Sequence, residues 1–119
     1  MRMWMVSPRL MCRQHLLGEH LEIHMFLSAL QKHKKIEGYI KNNCLEPRSL
    51  KQRHDDLVDE METRDYNHKT PIKDIDCACI CDLPQEQQYW KIDSSISLED
   101  LLKRCSRCFE IYQEDEIDQ

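Results

Sequence analysis

Two glycines and four prolines in 119 residues leave this chain few places to turn, so the elements it builds must be long. Strand-like alternation is scarce, and the periodicity that does appear is helical. Ser7-Pro8 predicts the start of a first helix, with serine at the cap and proline in the first turn. Leu10, Leu17, Leu21, Met25 and Ala29 follow at helical spacing, Leu16, Ile23, Leu27 and Leu30 widen the stripe, and the helix is expected to run to about Lys32. The basic run KHKK (32–35) and EGYIKNN (37–43) read as a loop broken by Gly38. A second helix is predicted from near Pro47 to about Arg64, through Leu50, His54, Leu57, Val58 and Met61. The stretch from Asp74 to Trp90 reads as irregular. Ser97 is expected to cap a third helix, SLEDLLKRCSRCFEIY, whose Glu99 and Asp100 suit its positive end. The acidic residues 113–119 are expected to fray into solvent. The sum is an all-α fold, one small domain over residues 1–119 with three main helices and irregular connectors.

Hydrophobic residues make up 40% and charged residues 33%, which fits a globular chain rather than a disordered one. The opening MRMWMVSPRLM is interrupted by Arg2, Pro8 and Arg9, unlike a signal peptide. No stretch approaches the roughly 20 apolar residues of a membrane span. These features predict a cytoplasmic protein. The net charge of −5 conceals an asymmetry: residues 1–53 carry 10 Lys and Arg against 4 Asp and Glu, whereas residues 54–119 carry 7 against 18. A phosphate-attracting face could therefore be built from the N-terminal half. A chance asymmetry ending in an acidic tail is the plainer alternative.

The segment QHLLGEHLEIH (14–24) concentrates titratable groups. On a helix His15, Gly18 and Glu22 stand one above another, with Glu19 beside them and Leu17 and Leu21 directed at the core. Gly18 inside a helix costs about 1 kcal/mol relative to alanine. Its missing Cβ would let another group approach the backbone beside Glu22. A carboxylate, a histidine and a gap on one face are parts of a small catalytic surface. Two plainer readings compete: a surface pair between His15 and Glu19, and metal ligation by His20 and His24, for which the HExxH glutamate is lacking.

The arrangement resembles the pyrimidine-dimer DNA glycosylases of the phage endonuclease V type. Val6-Ser7, Gln14-His15-Leu16, Glu19 and Glu22 resemble that family's first helix, and RHDDLVDEMETRDYN (53–67) its second helix and aromatic–Asn turn. Leu83-Pro84-Gln85-Glu86 and Ser95-Ile96 with Leu98 resemble its later part, so the likeness covers most of the chain in order. The resemblance implies a DNA-repair glycosylase that also cleaves abasic sites. In it the N-terminal α-amine, here that of Met1, attacks sugar C1′ to form a Schiff base, and a first-helix glutamate, here Glu22, assists; His15, on the same face, is expected to act in support. It requires no cofactor and acts, here as a monomer, on duplex DNA holding a pyrimidine dimer or an abasic site. The chemistry is sensible in itself. An α-amine titrates near about 7.7–8.0, so a useful fraction is a neutral nucleophile at physiological pH. Reaching C1′ in a duplex also requires distorting the stack, a use for the space at Gly18.

There are departures from the family pattern. Arg2 after Met1 should protect the initiator methionine, so the amine is expected on Met1. The positions of the family's DNA-contacting arginines hold Leu21 and Met25, so phosphate contacts fall to Arg2, Arg9, Arg13, Lys32, Lys34 and Lys35. The family's aromatic, basic C-terminal end is replaced by acidic EDEIDQ. A non-catalytic DNA- or partner-binding domain of the same fold is the alternative.

Seven cysteines in a chain without secretion signals favour free thiols or a metal site. Cys77, Cys79 and Cys81 form CACIC, and Cys105 and Cys108 form CSRC on the predicted third helix. Cys77, Cys79, Cys105 and Cys108 could hold a structural zinc joining the two segments; buried or free thiols are the alternative. Trp4, Trp90 and the tyrosines read as core, with Trp4 close enough to the N-terminus to stack on a base.

Overall fold

The computed structural model describes residues 1–67, 80 and 82–117, without the Ile117 side chain. Every extended element in it is helical. The first, α1 (Arg13–Gln31), begins later than Ser7-Pro8 predicts. Pro8–Leu10 makes only a 3-10 turn, after which Met11 (φ −91°, ψ 138°) and Cys12 (φ −69°, ψ 164°) are extended. That extension lets Met11 be fully buried and makes Cys12 the residue before the helix. The helix ends at Lys32, as its apolar pattern predicts.

The buried face of α1 is not the one expected. Leu16, Glu19, His20, Ile23, Phe26 and Leu30 point inward, while Leu21 is 60% exposed and Met25 47%. Two polar residues hold inward positions because α3 (Leu50–Thr63) supplies partners for them. The Arg53 guanidinium grips the Glu19 carboxylate with two N–H groups (Nε to Oε2 2.5 Å, Nη2 to Oε1 2.9 Å) and donates to the Val6 carbonyl at 2.6 Å. Forked recognition of a carboxylate is the strong form of this contact. His20 and His54 bring their Nε2 atoms to 3.2 Å, with the His24 ring stacked edge-on to both. Around this polar seam Leu16, Ile23, Phe26, Leu50 and Leu57 close the core, each worth about 1.5–3 kcal/mol on burial.

The 32–43 region contains a short helix, α2 (Glu37–Lys41), with Gly38 inside it rather than breaking it. The turns are made instead by His33 (φ 54°) and Asn43 (φ 61°). The second predicted helix is present as a Pro47–Ser49 turn leading into α3. The N-terminal strand of chain is pinned to the loop after α2: the Met3 N–H donates to the Cys44 carbonyl at 2.7 Å, and Met3 is fully buried.

After α4 (Gln85–Gln88), the predicted third helix proves to be two. The first, α5 (Ser94–Arg104), is capped by Asp93, which accepts from the Ser95 and Ile96 N–H groups; Ser97 lies buried in its interior instead. Cys105 (φ −130°, ψ 108°) is extended and ends α5, and α6 (Ser106–Ile117) starts directly after it. Of the tail expected to fray, residues 113–117 continue α6, with Asp115 3.1 Å from Arg9, and residues 118–119 lie outside the described residues. Trp4 is core, as expected, but Trp90 (42%) and Tyr89 (54%) are exposed, the latter under the Arg48 guanidinium at 4.4 Å.

Candidate active site

Where the N-terminal segment crosses α1 there is an open cavity of about 710 Å³, within the range of small-molecule sites. Met1, Arg2 and Trp4 line one side; Gln14, His15, Gly18, Glu19 and Glu22 line the α1 side; Asp100 and Arg104 of α5 close it. Local sequence explains this assembly. Glu19 is fixed by Arg53, which fixes the rotation of α1 about its axis and so turns Gly18 and Glu22 to the opening. The same Arg53 also holds the Val6 carbonyl, so one buried side chain ties the N-terminal segment to α1.

Glu22 is half-buried, and its Oε2 accepts the Arg2 backbone N–H at 3.1 Å. That bond places a carboxylate one residue from the Met1 amine. A Cβ built on Gly18 would meet nothing within 4 Å, so the helix surface there is open to a ligand. The cavity thus unites Met1, Arg2, His15, Gly18 and Glu22 of the residues singled out from the sequence.

The basic residues divide. Arg2 is largely internal: its guanidinium lies 3.9 Å over the Trp4 ring, donates to Asp100 at 3.2 Å and to Ser97 at 3.3 Å, and keeps a buried Nε without a partner among the described residues. Arg9 pairs with Asp115 and Arg13 stacks 4.6 Å over Tyr66, both away from the cavity. Lys32, Lys34 and Lys35 are exposed, and none has a carboxylate partner among the described residues. Lys34 and Lys35 border a second cavity of about 310 Å³ that shares Met1 with the first. Asp100 and Arg104, more than 75 residues from Glu22 in sequence, carried no signal that would have placed them in this site.

The proposed surface pair between His15 and Glu19 is not formed, since Glu19 is only 1% exposed and belongs to Arg53. His15 Nδ1 instead faces sulfur: Cys12 Sγ at 3.3 Å and Cys108 Sγ at 3.8 Å. Cys105 Sγ lies 3.8 Å from Cys12 Sγ. Cys77 and Cys79 lie outside the described residues, so their part in the predicted four-thiolate set is not seen. Burial pushes the Cys108 thiol up to about 12. Burial also raises Cys105, but N–H groups of Cys108 and Arg107 and the neighbouring thiols outweigh it and leave that thiol lowered. A second group of three ligand-type residues, His20, His24 and His54, sits in the α1–α3 seam.

The N-terminal segment and the Glu22 carboxylate thus share one open cavity on an all-helical scaffold. The family model described as pyrimidine dimer DNA glycosylase matches residues 1–74, and the chain belongs to that family. No curated protein and no solved structure matches the chain. Family membership supports action on damaged DNA as a glycosylase. Among the described residues no helix is long and apolar enough to cross a membrane.

Proposed function

We propose that this chain breaks a glycosidic bond of a pyrimidine dimer in duplex DNA and then cleaves the strand as an abasic-site lyase, through the α-amine of Met1. The observation that carries the reading is the Arg2 N–H to Glu22 bond, which keeps a carboxylate beside the N-terminus at the mouth of a cavity. In the first step the neutral amine bonds to C1′, the C1′–N glycosidic bond breaks, and the base takes the electron pair and a proton while staying joined to its dimer partner. Glu22 stabilises the positive charge that develops on the sugar. Opening of the C1′–O4′ bond then gives the protonated Schiff base, O4′ gaining a proton. Removal of a C2′ proton, with Glu22 as the nearest base, expels the 3′ phosphate by β-elimination. Water finally releases the amine from the sugar. No cofactor is needed for any of these steps.

Lys34 and Lys35, beside the second cavity that shares Met1, suit the phosphates flanking an opened nucleotide. Exposed Leu21 and Met25 flank Glu22 where the family carries arginines, and would meet DNA through apolar contact. Borohydride trapping on a duplex with one abasic site tests the proposal. Peptide mapping should place the adduct on the Met1 amine, and Glu22→Gln should abolish strand cleavage with binding nearly intact. A folded protein with a free N-terminus that binds the duplex but gives no adduct would be a binding domain that has lost the chemistry.

A further inference from the structure

We propose that Cys12, His15, Cys105 and Cys108 form a structural zinc site that fastens α5 and α6 to the start of α1. The two halves of the site have the same construction. Cys12 immediately precedes α1 and His15 is its third residue; Cys105 immediately precedes α6 and Cys108 is its third residue. Each pair therefore spans a helix's first turn, C-x-x-H in one and C-x-x-C in the other, and each turn presents its positive end to the sulfurs. The C-x-x-C spacing is one typical of structural zinc.

The distances fit a metal. The four ligand atoms lie within 4.8 Å of one another, with separations of 3.3 Å (Cys12 Sγ–His15 Nδ1), 3.8 Å (Cys12 Sγ–Cys105 Sγ) and 3.8 Å (Cys108 Sγ–His15 Nδ1). A tetrahedron with zinc–sulfur bonds of about 2.3 Å has edges of about 3.8 Å. Backbone donors are also placed as sulfur anions require. The Cys12 N–H points at Cys108 Sγ at 3.2 Å, and the Cys108 N–H at Cys105 Sγ at 3.4 Å. Those N–H groups would support the thiolates that a bound cation requires. The helix break at Cys105 has the same explanation, since a continuous helix would carry Cys105 and Cys108 along one face without turning the backbone N–H groups onto sulfur.

Four protein ligands close the coordination shell, which marks a structural rather than a catalytic ion. Zinc displaces the three thiol protons on binding. Ligation through Nδ1 leaves the His15 proton on Nε2, so this ring would serve the cavity as a fixed donor and not as a proton carrier. The metal would also hold in place α5, which supplies Asp100 and Arg104 to the cavity wall.

The test is metal analysis of the full chain purified from zinc-supplemented medium, followed by cobalt exchange. About one zinc per chain is expected, retained in Cys44→Ser and in the triple variant Cys77→Ser/Cys79→Ser/Cys81→Ser, and lost in Cys12→Ser and Cys105→Ser. The cobalt form should show the intense visible bands of a tetrahedral thiolate site. His15→Cys should keep the ion and shift those bands to the four-sulfur pattern, a result that stands even if the serine variants fail to fold. Folded wild-type protein that is metal-free with every thiol titratable overturns the proposal. So does a Cys12–Cys105 disulfide seen as a two-hydrogen mass loss, or an unshifted cobalt spectrum in His15→Cys. Zinc that survives Cys12→Ser but disappears from the triple variant assigns the ion to other ligands.

Discussion

Gly18→Ala should make the protein more stable and less active. Gly18 is the sixth residue of a 19-residue helix, its φ is not positive, and an added Cβ meets nothing within 4 Å. Neither strain nor a clash opposes the methyl group, so the helix-propensity gain of about 1 kcal/mol should appear in full. For a domain of this size that corresponds to a rise in Tm of about 4 °C. The same methyl group protrudes into the cavity one helical turn from Glu22. If a distorted sugar-phosphate packs against the bare backbone there, displacement by about 1 Å can reduce the rate up to about 100-fold. Thermal unfolding followed by circular dichroism gives the first quantity, and kcat/KM for cleavage of a duplex with one abasic site gives the second. We expect a higher Tm with at least a tenfold fall in kcat/KM. A higher Tm with unchanged cleavage would refute the idea that substrate uses this gap. A lower Tm would refute the structural premise that the space is open.

Replacing Glu19 by Leu should cost roughly 3–5 kcal/mol, because Arg53 is left charged and buried; denaturant unfolding measures it, and a loss under 1 kcal/mol would mean the pair is solvated. Changing both Lys34 and Lys35 to Gln should weaken DNA binding and lower the slope of log K against log salt by about 2, one phosphate contact each; an unchanged slope removes them from the interface. In metal-stripped protein, iodoacetamide near neutral pH should alkylate Cys105 well before Cys108. The first thiol is lowered by its backbone donors and the second is raised by burial to about 12, so the reverse order would contradict the geometry.

What the sequence made legible was local. The end of α1 at Lys32, the second helix from Pro47, and the placement of Met1, His15, Gly18 and Glu22 at one cavity all follow from spacing within a few turns, or from the family likeness. What it concealed depended on partners far away in the chain. Glu19 and His20 look like solvent-facing residues until Arg53 and His54 arrive from 34 positions on; that misled the reading of which side of α1 is buried and left Leu21 and Met25 on the wrong side. The third helix reads as continuous because nothing local breaks it at Cys105, and the extended backbone there brings Cys105 and Cys108 against Cys12, more than 90 residues earlier. One clue was available: Cys12-x-x-His15 repeats the spacing of Cys105-x-x-Cys108.

The Glu19–Arg53 pair also constrains how this protein can change over generations. Each partner alone is trapped, since losing either leaves the other as a bare charge in the core. An apolar pair of similar volume could serve as well, but it is reached only through an unfit intermediate or a simultaneous double change. The two positions should therefore covary across relatives, switching together or not at all. Among the described residues Glu22 is bound to a backbone N–H and to no charged side chain, so under the proposed mechanism its variation should follow the chemistry and not the packing. Two glutamates three residues apart on one helix are thus held by different kinds of selection, and an alignment deep enough to show both would separate scaffold from site without an assay.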